Sequence, residues 1–165
     1  MQRVTVRVPA STSNLGPGFD CLGVALRLYN EVSVQLGGRA KRTAMIDEAA
    51  EAFFRRAECR PFAFGCTIRG DVPVSRGLGS SVTVRLGVLF GLNELAGRLL
   101  TREALFEVCT ELEGHPDNAA PAAFGGFNVS RGVQRQRFAV DPALKFVLLV
   151  PSFEVSTVEA RALLP

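Results

Sequence analysis

The chain has 165 residues, 47% of them hydrophobic and 21% charged. That is enough to bury a core without a disulfide or a metal, and the balance excludes a disordered chain or a fibre. The formal net charge is +3, and of the 19 basic residues only Lys41 and Lys145 are lysines; they are scattered and form no stripe interleaved with aromatics, which argues against nucleic-acid binding and leaves room for a small anionic ligand. No apolar run reaches membrane-spanning length, and the opening MQRVTVRVPAS lacks the apolar stretch of a signal peptide. Cys21, Cys59, Cys66 and Cys109 show neither a CxxC pair nor zinc-ligand spacing. They read as reduced, mostly core cysteines of a cytoplasmic protein.

Val4, Val6 and Val8 alternate with Thr5 and Arg7, which predicts a half-buried strand stopped by Pro9. A polar loop follows, Ala10 to Asp20. Val24 to Leu36 reads as one or two strands ended by Gly37-Gly38. Met45 to Ala57 suits a helix with Phe53 and Phe54 in the core, and Phe62 to Arg69 alternates like a strand. Pro73 to Gly79 is a loop, and Ser80 to Ala96 a long apolar helix. Thr101 is placed to cap a further helix, Arg102 to Leu112, with Glu103 in its acidic first turn. Glu113 to Pro121 is a second polar loop. Phe124 to Ser130 and Val133 to Val140 read as a hairpin turning at Gly132. Lys145 to Val150 is predicted to be a buried strand, and Ser156-Thr157-Val158-Glu159 fits a capping box that opens a last helix. Strands and helices intermix, with hairpin signals, so the class is α+β or mixed α/β. The last strand and helix read as the opening of a further unit that the chain's end cuts short, a truncated chain or one completed in trans.

Among local signals, PVSRGLGSS stands out: Pro73, Val74, Ser75, Arg76, Gly77, Leu78, Gly79, Ser80 and Ser81 run straight into a helix. Its glycines let backbone approach a ligand closely, and a helix N-terminus offers open N–H groups and a positive dipole end to phosphate. No Lys follows the second glycine, so this is not a Walker A loop, and no third glycine makes it a dinucleotide fingerprint. The plainer alternative is a glycine turn with a Ser N-cap.

Read with PASTSNLGPGFDCLG (Pro9 to Gly23) and EGHPDNAAPAAFGGF (Glu113 to Phe127), this loop resembles those of the GHMP kinases, and among them the homoserine kinase family. The similarity runs on into VPSFEVSTVEARALLP. The resemblance implies the α+β fold of the GHMP kinase N-terminal domain (ribosomal protein S5 domain 2-like) over residues 1–143. It also implies that residues 144–165 begin a ferredoxin-like C-terminal domain. The implied reaction transfers the ATP γ-phosphate to the side-chain hydroxyl of L-homoserine, with Mg2+, in threonine biosynthesis.

The resemblance also implies roles. Residues Pro73 to Ser81 hold ATP, and Ser81 and Glu113 hold Mg2+, with Ser80 a close competitor of Ser81. Asp20 pairs with the substrate ammonium and Asn14 orients its hydroxyl; the alternative is an Asx turn and a surface Asp. His115 and Asn118 face the substrate, with Asp117 supporting their loop. Thr157 gives a catalytic-site hydroxyl and Arg161 a carboxylate ligand, four residues apart on one helix face. No general base is needed where positioning and charge neutralisation carry the reaction. Partners implied are the small-molecule substrate and a homodimer, with neither nucleic acid nor membrane.

Three departures from the family pattern stand out. The family's second domain, with another glycine-rich loop and a further Arg, is absent from these 165 residues. The stretch between Asn30 and Glu48, expected to hold adenine, is short. GLGSS is followed by Val82-Thr83 and Arg85, where small residues are usual. A GHMP kinase for a mevalonate-type or sugar alcohol, and a binding domain without turnover, are the competing readings; an Asp at position 118 would have favoured the first.

Overall fold

The structure is a computed structural model, and it describes residues 2–38, 42–141, 143–150 and 152–153. Two long antiparallel strands, β1 (Arg3–Leu15) and β2 (Gly18–Leu36), join through a turn at Gly16-Pro17. Then come α1 (Ala44–Arg56), β3 (Phe64–Gly70), α2 (Ser80–Leu95), α3 (Arg102–Glu113), α4 (Ala119–Phe124), β4 (Phe127–Arg131) and β5 (Gln134–Phe138). All five strands form one antiparallel sheet in which β1 lines one side of β2. On the other side the C-terminal half of β2 pairs β3, and Leu22 to Val24 pair β4, which continues to β5.

The expected stop at Pro9 does not occur. β1 runs on to Leu15, with a register shift between Pro9 and Ser11. Proline lacks the N–H a central strand would need, but β1 is an edge strand and the irregularity falls at Pro9, so the missing donor breaks no inner ladder. The Ala10–Asp20 loop of the sequence reading is thus mostly strand, and its serines gain fixed positions.

Helix α2 is apolar nearly all round because it is covered on every side. It lies on β1 and β2 and packs against α1 and α3, burying Val82, Leu86, Val88, Leu89 and Leu92. Gly87 and Gly91 allow the close approach: a Cβ on either would lie 2.3 Å or 2.5 Å from a methyl of Val32 or Val34. Helix α1 presents Ile46, Ala49, Ala50 and Phe53 at helical spacing to the same core, and Phe54 is buried beside them. Thr101 caps α3 as expected, its hydroxyl accepting from the Ala104 N–H at 3.2 Å. The short α4 replaces the second half of the expected Glu113–Pro121 loop, and all of Ala119 to Ala123 are buried. Cys66 and Cys109 are core residues, with Cys21 and Cys59 half-buried, and all four are free thiols. Burial pushes the Cys66 thiol up to about 11, and Cys109 higher still.

Lys145 to Val150 does not form the predicted buried strand. Residues 143–150 have no ladder partner among the described residues, and the apolar side chains from Leu144 to Val150 are 39% to 93% exposed. A continuous apolar run gives a buried strand only where a neighbouring strand and a covering layer receive it. The expected helix from Ser156, with Thr157 and Arg161, lies outside the described residues. Among the described residues no helix is long and apolar enough to cross a membrane.

Candidate active site

The glycine-rich loop leads from Val72 into α2, and its backbone φ alternates in sign. Ser75, Gly77 and Gly79 are left-handed at φ 56°, 70° and 65°, while Arg76 and Leu78 between them are not. Such alternation turns successive N–H groups toward one concave side, a shape that receives anions. The N-cap of α2 is Gly79, and among the described residues no side-chain cap bonds the first-turn N–H groups. The alternative of a Ser N-cap is therefore not what forms; the positive end of α2 stays open, as phosphate requires. Below the loop, Asn30 Nδ2 donates to Thr83 Oγ1 at 2.8 Å, and Thr83 donates to the Ser80 carbonyl at 2.7 Å, fixing the helix start to β2.

The continuation of β1 past Pro9 builds the next wall. Ser11 and Ser13 alternate on one face of the strand and grip Asn118. Ser11 Oγ donates to Asn118 Oδ1 at 2.9 Å, and Asn118 Nδ2 donates to Ser13 Oγ at 3.0 Å. The Ser11 N–H donates to the Leu78 carbonyl at 3.2 Å. Gly79 sits in the same spot: a Cβ there would lie 2.5 Å from Ser11 Oγ and 3.2 Å from Asn118 Oδ1. The three polar loops of the sequence therefore meet around Gly79, Ser11 and Asn118. Ser11 and Ser13 were missed because the strand was expected to stop at Pro9; the signal was the period-2 placement of the two serines beyond it.

Asn14 and Asp20 flank the β1–β2 turn, both left-handed at φ 58° and 57°, and the Asp20 N–H donates to Asn14 Oδ1 at 2.9 Å. Asn and Asp are the residues besides glycine that take this conformation most readily, and the hydrogen bond ties the two ends of the turn together. Asp20 and His115 line a cavity of about 810 Å³ beside the β4–β5 hairpin. His115 Nδ1 lies 2.5 Å from Asp117 Oδ1, and Asp117 is fully buried. Burial alone would raise the Asp117 carboxyl, but the His115 hydrogen bond and charge, the Ser13 hydroxyl and the Asn118 N–H outweigh it and hold it below the usual carboxylate range. One ligand atom from each of Asp20, His115 and Asp117 lies within 4.8 Å of the others. Two carboxylates and an imidazole so placed suit a cation or an ammonium.

In the first turn of α2, Ser81 meets the end of α3. Its hydroxyl donates to Glu113 Oε2 at 3.0 Å, and Arg85 Nη1 donates to Glu113 Oε1 at 2.5 Å. A Mg2+ ion with oxygens at about 2.0–2.1 Å has octahedral edges of about 2.9 Å, so the Ser81–Glu113 oxygen pair fits two adjacent positions. The other two carboxylates toward the C-terminal end of α3 lie apart from Ser81: Glu107 accepts from Arg56 at 2.6 Å, and Glu111 is exposed. On the other side of the loop, Arg76 Nη2 donates to the Ser152 carbonyl at 3.0 Å, which brings the described end of the chain against the glycine loop.

The open start of α2, walled by serine hydroxyls and carboxylates, gives this α+β domain a concave polar site of a shape suited to an anion. The sequence comparison agrees: residues 44–126 match the model of the GHMP kinases N terminal domain, and the chain belongs to that family. A homoserine kinase of Clostridium botulinum is 41% identical over 177 residues, covering 98% of this chain and 60% of the relative. The chain thus spans about 60% of the length of the curated relatives it matches. The crystal structure of homoserine kinase from Cytophaga hutchinsonii aligns with a TM-score of 0.79 at 25% identity, over all of this chain and 61% of that one. Mevalonate kinase of Methanococcus jannaschii aligns with a TM-score of 0.71 at 12% identity, over 84% and 56%, a likeness of fold alone.

Proposed function

We propose that this domain carries the nucleotide-binding and alcohol-binding walls of an ATP-dependent kinase acting on L-homoserine, in the cytoplasmic synthesis of threonine. The observation that carries this reading is the meeting of the open α2 N-terminus with Asn118 and the Asp20–His115–Asp117 group. The names of the relatives at about 40% identity support the substrate.

In this reading the N–H groups of Gly77 to Ser81 receive the ATP phosphates. Ser81 and Glu113 hold Mg2+, which when bound neutralises phosphate charge. Asp20 receives the homoserine ammonium, with His115 beside it held by Asp117. The homoserine hydroxyl oxygen bonds the γ-phosphorus, the bond from that phosphorus to the β-phosphate bridging oxygen breaks, and ADP leaves with the electron pair. The hydroxyl proton passes to solvent through a phosphoryl oxygen. Asn118 cannot act as a base at neutral pH; locked by Ser11 and Ser13, it fixes the hydroxyl's approach, and positioning of this kind is worth orders of magnitude in rate. Thr157 and Arg161 complete the site, the latter at the substrate carboxylate. Residues 144–165 begin the second domain that carries them.

The test is phosphorus NMR of the full chain with MgATP and L-homoserine, beside mevalonate and a hexose. O-phospho-L-homoserine is expected, and Asp20→Asn should raise the KM for homoserine at least tenfold with little change in that for ATP. Preferred turnover of another alcohol, or equal loss toward both substrates, overturns the assignment.

A further inference from the structure

Arg85 breaks the small-residue pattern after GLGSS, and the structure gives it a place. It follows Ser81 by four residues, so the two project from one face of α2 toward the same carboxylate. Glu113 receives Ser81 on one oxygen and Arg85 on the other. The side chains of Glu113 and Arg85 are 8% and 14% exposed. Arg85 Nη2 also reaches Glu48 of α1 at 3.3 Å, and that carboxylate is 56% exposed. A guanidinium stays protonated at any working pH, so Arg85 is a permanent cation beside the very carboxylate a metal would need.

We propose that Arg85 positions and neutralises Glu113, so that the Ser81–Glu113 pair admits a divalent cation only together with nucleotide phosphate. This deepens the phosphoryl-transfer reading and rests on it. Glu113 and Arg85 sum to zero charge. Without phosphate, a divalent ion meets one carboxylate oxygen and a hydroxyl beside a fixed positive charge. The polyphosphate supplies the missing negative charge. Glu48 balances the guanidinium from the solvent side, where screening is strong. The grip on Oε1 also stops the carboxylate from turning, which keeps Oε2 at Ser81.

The experiment is titration of the full chain with Mn2+, followed by electron paramagnetic resonance, with and without ADP. Wild type should bind Mn2+ at least tenfold more weakly without ADP than with it. Arg85→Met should raise the nucleotide-free Mn2+ affinity by about tenfold or more, as expected when a like charge a few ångströms away is removed. Arg85→Lys should stay near wild type. Arg85→Gln, which still donates a hydrogen bond to the buried carboxylate, gives the same test should Arg85→Met fail to fold. A structural role alone would loosen Glu113 and weaken Mn2+ in both conditions. Wild type that binds no Mn2+ with ADP overturns the nucleotide reading and this inference with it. Wild type that does, with the neutral variants unchanged or weaker without ADP, overturns this inference alone.

Discussion

Replacing Gly79 by alanine should damage both stability and nucleotide binding, and the size of the effect follows from the site. Gly79 is left-handed at φ 65°, ψ 34°, a conformation that costs a residue with a Cβ about 1–2 kcal/mol. Its Cβ would also lie 2.5 Å from Ser11 Oγ and 3.2 Å from Asn118 Oδ1, so Ser11 must move. That movement gives up the 2.9 Å hydrogen bond to Asn118, a net loss of about 0.5–1.5 kcal/mol, besides the crowding itself, about 1–3 kcal/mol. Gly77 is the internal control: it is left-handed at φ 70°, but a Cβ there meets nothing within 4 Å. Gly77→Ala should cost only the backbone term. The gap between the two variants is about 1.5–4.5 kcal/mol, or roughly 3–18 °C in Tm for a chain of this size. Thermal unfolding read alongside ATP titration checks this, with the Gly79 variant losing at least tenfold in affinity. Equal stability of the two variants would show that the glycine loop, β1 and Asn118 do not meet as described.

Gly87→Ala places a Cβ 2.3 Å from a Val32 methyl and should destabilise by about 1–3 kcal/mol in urea unfolding without a specific effect on the substrate. Asp117 has its carboxyl held below the usual range in the fold, so its contribution to stability is present above the ordinary carboxylate value of about 4 and is lost as pH falls through the depressed folded value. Asp117→Asn should therefore be less stable at neutral pH, by about 1–3 kcal/mol, with a shallower acid loss when urea midpoints are compared from pH 6 downward. Ser11→Ala together with Ser13→Ala leaves the Asn118 amide without its two side-chain partners and should lower kcat more than it raises the KM for ATP, which steady-state kinetics of the full chain would read.

The three polar loops were legible because glycine, proline and Asx residues carry local conformational demands that spacing alone exposes. Helix α1 was legible from its Ala- and Glu-rich composition, α2 from its long apolar run, and α3 from the Thr101 cap and acidic first turn. What failed depended on tertiary context. Pro9 ends a strand only where its missing N–H is needed, and at the irregular edge of β1 it is not. Helix α4 is hidden in NAAPAAF because alanines show no amphipathic period; burial on every side, not patterning, makes it helical. Arg85 read as an oddity because its partner, Glu113, is 28 residues away on another helix. The Lys145–Val150 strand was read from composition, which cannot supply a neighbouring strand.

Backbone amide NMR of the full chain, titrated first with MgATP and then with L-homoserine, tests the central claim most directly. ATP should shift the amides of Gly77 to Val82 most, since those N–H groups sit at the open start of α2. Homoserine added afterwards should shift Asp20, His115 and Asn118, with little further change at α2. Shifts spread over other surfaces, or ATP-induced changes that bypass Gly77 to Val82, would contradict the account.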